Sequence, residues 1–143
     1  KIVSRLGVIR NVDEIIHEND NITDLDFSNI DCILIDEAQF LTKKHINQLF
    51  EIAIKEDIPV ICYGLRTDFK GEGFEGSRRL LEIAHTIEEM KTICRCGKKA
   101  ILNIRYIDGE AVFDGSQVAI DNDSKIEYEA VCGKCYIDKK KRL

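Results

Sequence analysis

Several absences bound what this sequence can be. No stretch of its 143 residues is apolar over the roughly 20 residues that a membrane-spanning helix needs, and no secretory-leader pattern opens it. Proline occurs once, at Pro59, and no low-complexity or Pro/Gly-rich linker divides the chain. Basic residues are outnumbered, 21 Lys and Arg against 26 Asp and Glu, and the net charge of −5 speaks against general binding to nucleic acid, which favours a basic face. The exception, Lys139-Lys140-Lys141-Arg142, is short enough to read as a solvated tail. Finally, the phosphate-cradling pattern G-x-x-x-x-G-K-[ST] occurs nowhere.

What is present suffices for one domain, or one domain with a small appendage: 44% of residues are hydrophobic and 33% are charged. The sequence begins at Lys1 and opens on a strand-like Ile2-Val3, so it is expected to start partway into a fold. Over residues 1–93 short apolar runs alternate with amphipathic stretches. Ile30 to Ile35 reads as a strand buried on both faces of a parallel sheet. Thr42 is a good N-cap for a helix bearing Ile46, Leu49, Phe50 and Ala53 at helical spacing. Val60 to Tyr63 reads as the next buried strand, and Ser77 as the cap of a helix bearing Leu80, Leu81 and Ala84. Thr86 to Cys94, with Ile87, Met90 and Ile93, is expected to return to the sheet, completing an α/β pattern. Beyond residue 94 the segments shorten. Ile101 to Ile107 and Glu110 to Phe113 flank Asp108-Gly109 as a hairpin, in a region with too few large apolar residues to fold without a staple.

Four of the six cysteines supply that staple. Cys32 and Cys62 sit alone in apolar runs and read as small hydrophobes. Cys94-x-Cys96 and Cys132-x-x-Cys135 form two close pairs, which without a secretory leader favour metal over disulfides. Structural zinc is the leading reading, since four thiolates leave no open coordination position. A redox dithiol and four unrelated thiols are the alternatives.

A second constellation ends the first strand. Ile33 to Ile35 runs into Asp36-Glu37-Ala38-Gln39-Phe40, placing two carboxylates where open α/β sheets bind ligands. There an aspartate can hold Mg²⁺ and a neighbouring carboxylate can take a proton from a hydroxyl. An ordinary acidic loop is the bland alternative. Gly71-Glu72-Gly73-Phe74-Glu75-Gly76 matches G-x-G-x-x-G, but it follows no strand and carries two glutamates, so it reads as a flexible loop over a site.

Four segments in order, Asp36 to Phe40, Tyr63-Gly64-Leu65-Arg66-Thr67-Asp68-Phe69, the cysteine pairs, and Tyr128-Glu129-Ala130-Val131-Cys132, make the chain resemble the cytosolic, zinc-containing (type II) thymidine kinases over essentially its whole length. The resemblance implies a RecA-like P-loop NTPase core, a parallel sheet with helices, over residues 1–93. That core lacks its P-loop part, which is expected before Lys1, so the chain alone is expected to be inactive. Residues 94–143 would form a small β-rich zinc domain carrying a lasso loop. Glu37 would be the general base for the thymidine 5′-hydroxyl, with Asp36 holding the Mg²⁺ of ATP beside Ala38 and Gln39. Leu65, Phe69, Phe74, Val118, Ala119, Ile120 and Tyr128 would surround the nucleoside, core packing being the plain alternative for the two phenylalanines. Arg105 would lie near the phosphates. A cytoplasmic homotetramer inhibited by dTTP is the family's usual form. The sequence departs from the family pattern at the C-x-C pair, at Asp121-Asn122 where two glycines are usual, and at Gly133 where arginine is frequent. A zinc-ribbon interaction module on an inactive or regulatory ATPase-like domain is the runner-up, and a nucleic-acid-binding zinc protein is disfavoured by charge.

Overall fold

The computed structural model describes residues 1–3, 7, 9–118 and 125–142. Its first elements are a short antiparallel pair, β1 (Ile2–Val3) with β2 (Ile9–Arg10), and a 3₁₀ turn at Ile22–Asp24. Next, β3 (Ile33–Ile35) leads into a second 3₁₀ turn, Ala38–Phe40, and then α1 (Lys43–Lys55). The helix starts as its sequence predicts. Thr42 accepts the His45 N–H through its hydroxyl, and the His45 ring accepts the Thr42 N–H in return. It ends with Asp57 in the left-handed conformation (φ 53°), a common terminator.

After Pro59 the chain forms β4 (Val60–Cys62), which pairs parallel with β3 in the register Ile33↔Val60, Leu34↔Ile61, Ile35↔Cys62. Then comes α2 (Glu75–Ile83). A β3–α1–β4–α2 order with α1 packed on α2 is the predicted α/β alternation, but only these two strands are parallel among the described residues. The predicted strand is also shorter and less buried than its apolar run implied. It begins at Ile33, leaves Cys32 exposed, and exposes 65% of Leu34, next to half-exposed Ile61. Cys62 behaves as expected of a hydrophobe, burial pushing its thiol up to about 11.

Two further expectations are corrected. Phe74, not Ser77, occupies the N-cap of α2; Ser77 lies a turn inside, where its hydroxyl donates to the Leu65 carbonyl. And Thr86 to Cys94 does not rejoin the parallel pair. Its end, β5 (Thr92–Ile93), pairs antiparallel with β6 (Lys99–Ala100), and Ile87, Met90 and Ile93 stay exposed.

The remainder is β7 (Leu102–Ile107), β8 (Glu110–Val112), β9 (Ile126–Val131) and α3 (Gly133–Lys140). β7 lies between its two antiparallel neighbours. The β7–β8 turn is Asp108-Gly109, both with positive φ (50° and 86°), the twist that favours two-residue hairpins and tolerates Asp and Gly.

Burial divides into two clusters. Ile22, Leu41, Ile46, Leu49 and Ile52 pack between α1 and the parallel pair. Cys94, Ile104, Phe113, Val131, Cys132 and Tyr136 pack between the three-stranded sheet and α3. Phe69 belongs to neither cluster but is held beside the second: the Tyr136 hydroxyl donates to its carbonyl at 2.8 Å, and the Arg105 guanidinium stacks 3.7 Å from the centre of its ring. No helix among the described residues is long and apolar enough to cross a membrane.

Candidate active site and cysteine cluster

At the C-terminal end of β3 the backbone reverses sharply. Glu37 adopts a left-handed conformation (φ 52°), which costs a residue with a side chain of the order of 1 kcal/mol and is concentrated at functional sites. Its N–H donates to Asp36 Oδ1 at 2.9 Å, and the Ala38 N–H donates to the Tyr63 carbonyl, tying the turn to the end of β4. Asp36 and Glu37 are thereby presented on the surface at the strand ends. Ala38 and Gln39, grouped with the ATP side of the site by sequence, have buried side chains, and Gln39 is 2% exposed. They build the turn itself. Gln39 Nε2 donates to Glu37 Oε2 at 2.5 Å, and its Oε1 accepts the Leu65 N–H at 3.1 Å.

The glycine-rich segment is anchored rather than loose. Asp68, 3% exposed, accepts the N–H groups of Lys70 and Glu72 at Oδ1 and folds residues 68–72 into a turn, with Gly71 at φ 82°. Gly76 opens α2 against the 3₁₀ turn, where a Cβ would stand 2.5 Å from the Leu41 carbonyl oxygen and 2.6 Å from that of Ala38. Glu75 completes the junction by accepting the Lys43 N–H, a free donor at the start of α1.

Beside this junction lies a cavity of about 240 Å³, whose lining includes Gln39, Phe40, Phe74, Gln117, Val118 and His17. Phe40 meets Phe74 edge to face, centroids 5.6 Å apart. Phe40 stands inside the acidic motif, yet nothing in its spacing marked it as a wall of a cavity; 55% of it is exposed. Of the apolar residues predicted to bind substrate, Phe74 and Val118 line this cavity, while Leu65 is half-exposed at the end of β4. Phe69 is 2% exposed, lies under Arg105 and is not part of the cavity lining. Ala119 and Ile120 lie outside the described residues.

Arg105, expected near phosphates, is 3% exposed and committed to the loop between β8 and β9. Its Nη1 and Nη2 donate to the carbonyls of Ser116 (2.8 Å) and Gln117 (2.6 Å), and its Nε donates to the Tyr128 hydroxyl (3.0 Å). One side chain therefore fastens both roots of that loop and rests on Phe69. Three charge-assisted bonds in a buried setting make a strong clamp.

At the opposite end of the same sheet the four paired cysteines converge. Their sulfurs all lie within 4.8 Å of one another, and Cys96 Sγ is 3.6 Å from both Cys94 Sγ and Cys132 Sγ. A tetrahedral zinc thiolate with bonds of about 2.3 Å spaces its sulfurs by about 3.8 Å, whereas a disulfide requires about 2.05 Å. The spacing fits a metal. The tight Cys94-x-Cys96 pair joins the group because Gly97, at φ 85°, donates its N–H to the Cys94 carbonyl and closes the turn. Gly133 has no such role; it is the first residue of α3, with Cys132 at the N-cap. The N–H groups of Cys96 and Cys132 directed at Cys94 pull its thiol down to about 6, and that of Cys135 holds Cys132 below its usual value, while the neighbouring cysteine side chains push the Cys135 thiol up to about 12; the backbone thus favours the thiolate at Cys94 and Cys132. An opening of about 380 Å³ borders the cluster, with Tyr106, Glu129 and Lys139 on its walls.

The family model described as thymidine kinase matches residues 1–136. A thymidine kinase of Pasteurella multocida is 47% identical over 145 aligned residues, covering 97% of this chain and 74% of that protein. Those of Chromobacterium violaceum and Photobacterium profundum are 50% and 53% identical, over 78% and 76% of this chain. The aligned parts span 60% and 56% of these last two relatives, less than two thirds of their length.

Proposed function

The chain belongs to the type II thymidine kinase family, and from that premise we propose that the protein carrying it transfers the γ-phosphate of ATP to the 5′-hydroxyl of thymidine, yielding dTMP and ADP in nucleotide salvage. The observation that carries the proposal is the Glu37 carboxylate, on a left-handed turn at the end of β3 and hydrogen-bonded to Gln39, which lines the Phe40–Phe74 cavity. Glu37 takes the proton of the 5′-hydroxyl as that oxygen bonds to the γ-phosphorus. The bond to the β,γ-bridging oxygen breaks, and its electron pair leaves with ADP. Such transfers place little covalent demand on the protein and depend on alignment and charge. Asp36, exposed and adjacent, is the proposed ligand of the Mg²⁺ that arrives with ATP. The RecA-like sheet and the division at residue 93 belong to the same proposal, supported by the parallel β3–β4 pair and the two separate clusters of buried residues.

The thymine ring is proposed to sit between Phe40, Phe74 and the loop rooted at Gln117 and Val118, with Tyr128 across from them. The loop's peptide groups would pair with the N3–H and carbonyls of the base. Zinc is the proposed occupant of the cysteine cluster. Bound there it would supply a structural crosslink and no chemistry, since all four positions are thiolates. A cytoplasmic homotetramer inhibited by dTTP completes the proposal, resting on family resemblance.

Two measurements test this reading. Incubation of the enzyme with ATP and thymidine should form dTMP and ADP in equal amounts. In a thermal-shift experiment, thymidine and dTTP should stabilise the protein and single-stranded DNA should not. Stabilisation by DNA alone, with no dTMP formed, would favour a zinc-ribbon or nucleic-acid-binding role instead.

The Arg105 clamp yields a further expected result. Arg105→Met keeps an apolar stem on Phe69 but removes all three bonds to the loop roots. Thymidine KM should rise about tenfold, equivalent to about 1.4 kcal/mol of lost preorganisation. Turnover at saturating thymidine should fall by less than threefold. A KM unchanged within twofold would show that the loop is ordered without Arg105.

A further inference from the structure

Gln39 is a buried amide with both ends engaged. Its partners fix the orientation, because the Glu37 carboxylate can only accept and the Leu65 N–H can only donate. Leu65 is held in turn: its carbonyl accepts the Ser77 hydroxyl of α2 at 2.5 Å. The path is sterically reserved as well. A Cβ at Gly64 would stand 2.7 Å from Gln39 Oε1 and 3.0 Å from the Gln39 backbone nitrogen, so only glycine there admits the amide. Helix α2 therefore reaches the Glu37 carboxylate through Ser77, Leu65 and Gln39. Glu37 is otherwise an exposed side chain with several free rotations.

We propose that Gln39 is a positioning residue, holding the Glu37 carboxylate at the angle from which it receives the 5′-hydroxyl proton, and that Gly64, Leu65 and Ser77 exist in this arrangement to hold Gln39. The inference rests on the reading of Glu37 as the base. In this role Gln39, which also lines the cavity, acts on the reaction through the Glu37 carboxylate. Its loss should lower kcat and spare thymidine binding.

A double-mutant cycle on the complete enzyme tests it. Gln39→Glu is nearly isosteric, retains an acceptor for the Leu65 N–H, and replaces the donor to Glu37 with a repelling oxygen. It should lower kcat about tenfold with thymidine KM within twofold. In a Glu37→Gln background the same change should add no further loss, because two residues acting as a unit are not additive. Should Gln39→Glu fail to fold, Gly64→Ala displaces an intact Gln39 and should show the same dependence on Glu37. Equal losses in both backgrounds, or wild-type kcat in the single variant, would overturn the role of Gln39 alone. A wild-type enzyme that forms no dTMP, or a Glu37→Gln enzyme at full rate, would overturn the reading of Glu37 and this one with it.

Discussion

Replacing Glu37 by glutamine should lower kcat for thymidine phosphorylation by about 10² or more, with thymidine KM within about twofold of wild type, in a steady-state assay of ADP formation. General-base catalysis contributes roughly 10²–10⁴ to a rate. The lower part of that range applies here because phosphoryl transfer passes through a loose transition state in which the nucleophile has formed little bond. Glutamine is the discriminating choice. It has the size of Glu37, and its carbonyl can still accept from Gln39 Nε2, so the turn at φ 52° and the bridge to Leu65 persist. Only the capacity to take a proton is lost. The apolar walls of the cavity, Phe40 and Phe74, are untouched, which is why KM should hold. A kcat within threefold of wild type would remove Glu37 from the base role and leave the acidic strand end as a loop.

The parts of this fold that were legible in the sequence are those decided by neighbours along the chain. Thr42 as an N-cap, and Asp108-Gly109, act through bonds and backbone conformations spanning two to four residues, and both formed where their pattern placed them; the answering bond from His45 was seen only in the fold. The cysteine pairs were legible for a related reason: each pair is local, and only their meeting required the fold. Ser77 misled because a short hydroxyl near a helix start suits a cap equally well as a tertiary donor, and the Leu65 carbonyl lies twelve residues away. Ile30 to Ile35 misled because an apolar run reports a capacity for burial, whereas burial itself depends on which surfaces come to cover it. Arg105 resembles a phosphate-side arginine in sequence, but its three acceptors come from residues 116, 117 and 128, brought together by the pairing of β7 with β8 and β9. Gln39 stood inside a recognised motif with its role hidden, since what matters is the Leu65 N–H that crosses its amide from another strand's end.

Stripping the metal from the cysteine cluster should have the broadest effect of any single change. Structural zinc contributes an apparent 10–16 kcal/mol to small sites, comparable with the whole stability of a typical domain, 5–15 kcal/mol. The local core offers little to replace it. Two of its six buried members, Cys94 and Cys132, are themselves proposed ligands, leaving Ile104, Phe113, Val131 and Tyr136 to hold three strands and a helix. Without the crosslink, α3, the end of β9 and the turn between β5 and β6 lose their common anchor, and β7, paired with β9, loses that support. Arg105 sits on β7, so the clamp on Ser116, Gln117 and Tyr128 loosens with it. The expected result of chelation, with metal loss verified by elemental analysis, is a thymidine KM raised at least tenfold and loss of thermal stabilisation by thymidine. Much of the helical circular dichroism should persist, because α1 and α2 pack with Ile22, Ile46, Leu49 and Ile52 in a cluster that contains no cysteine ligand. That split between a lost site and surviving helices separates a local staple from global unfolding. Unchanged kinetics in demonstrably metal-free protein would show that the four thiols hold the loop through packing alone, and would return the cluster to the reading of buried cysteines with no metal.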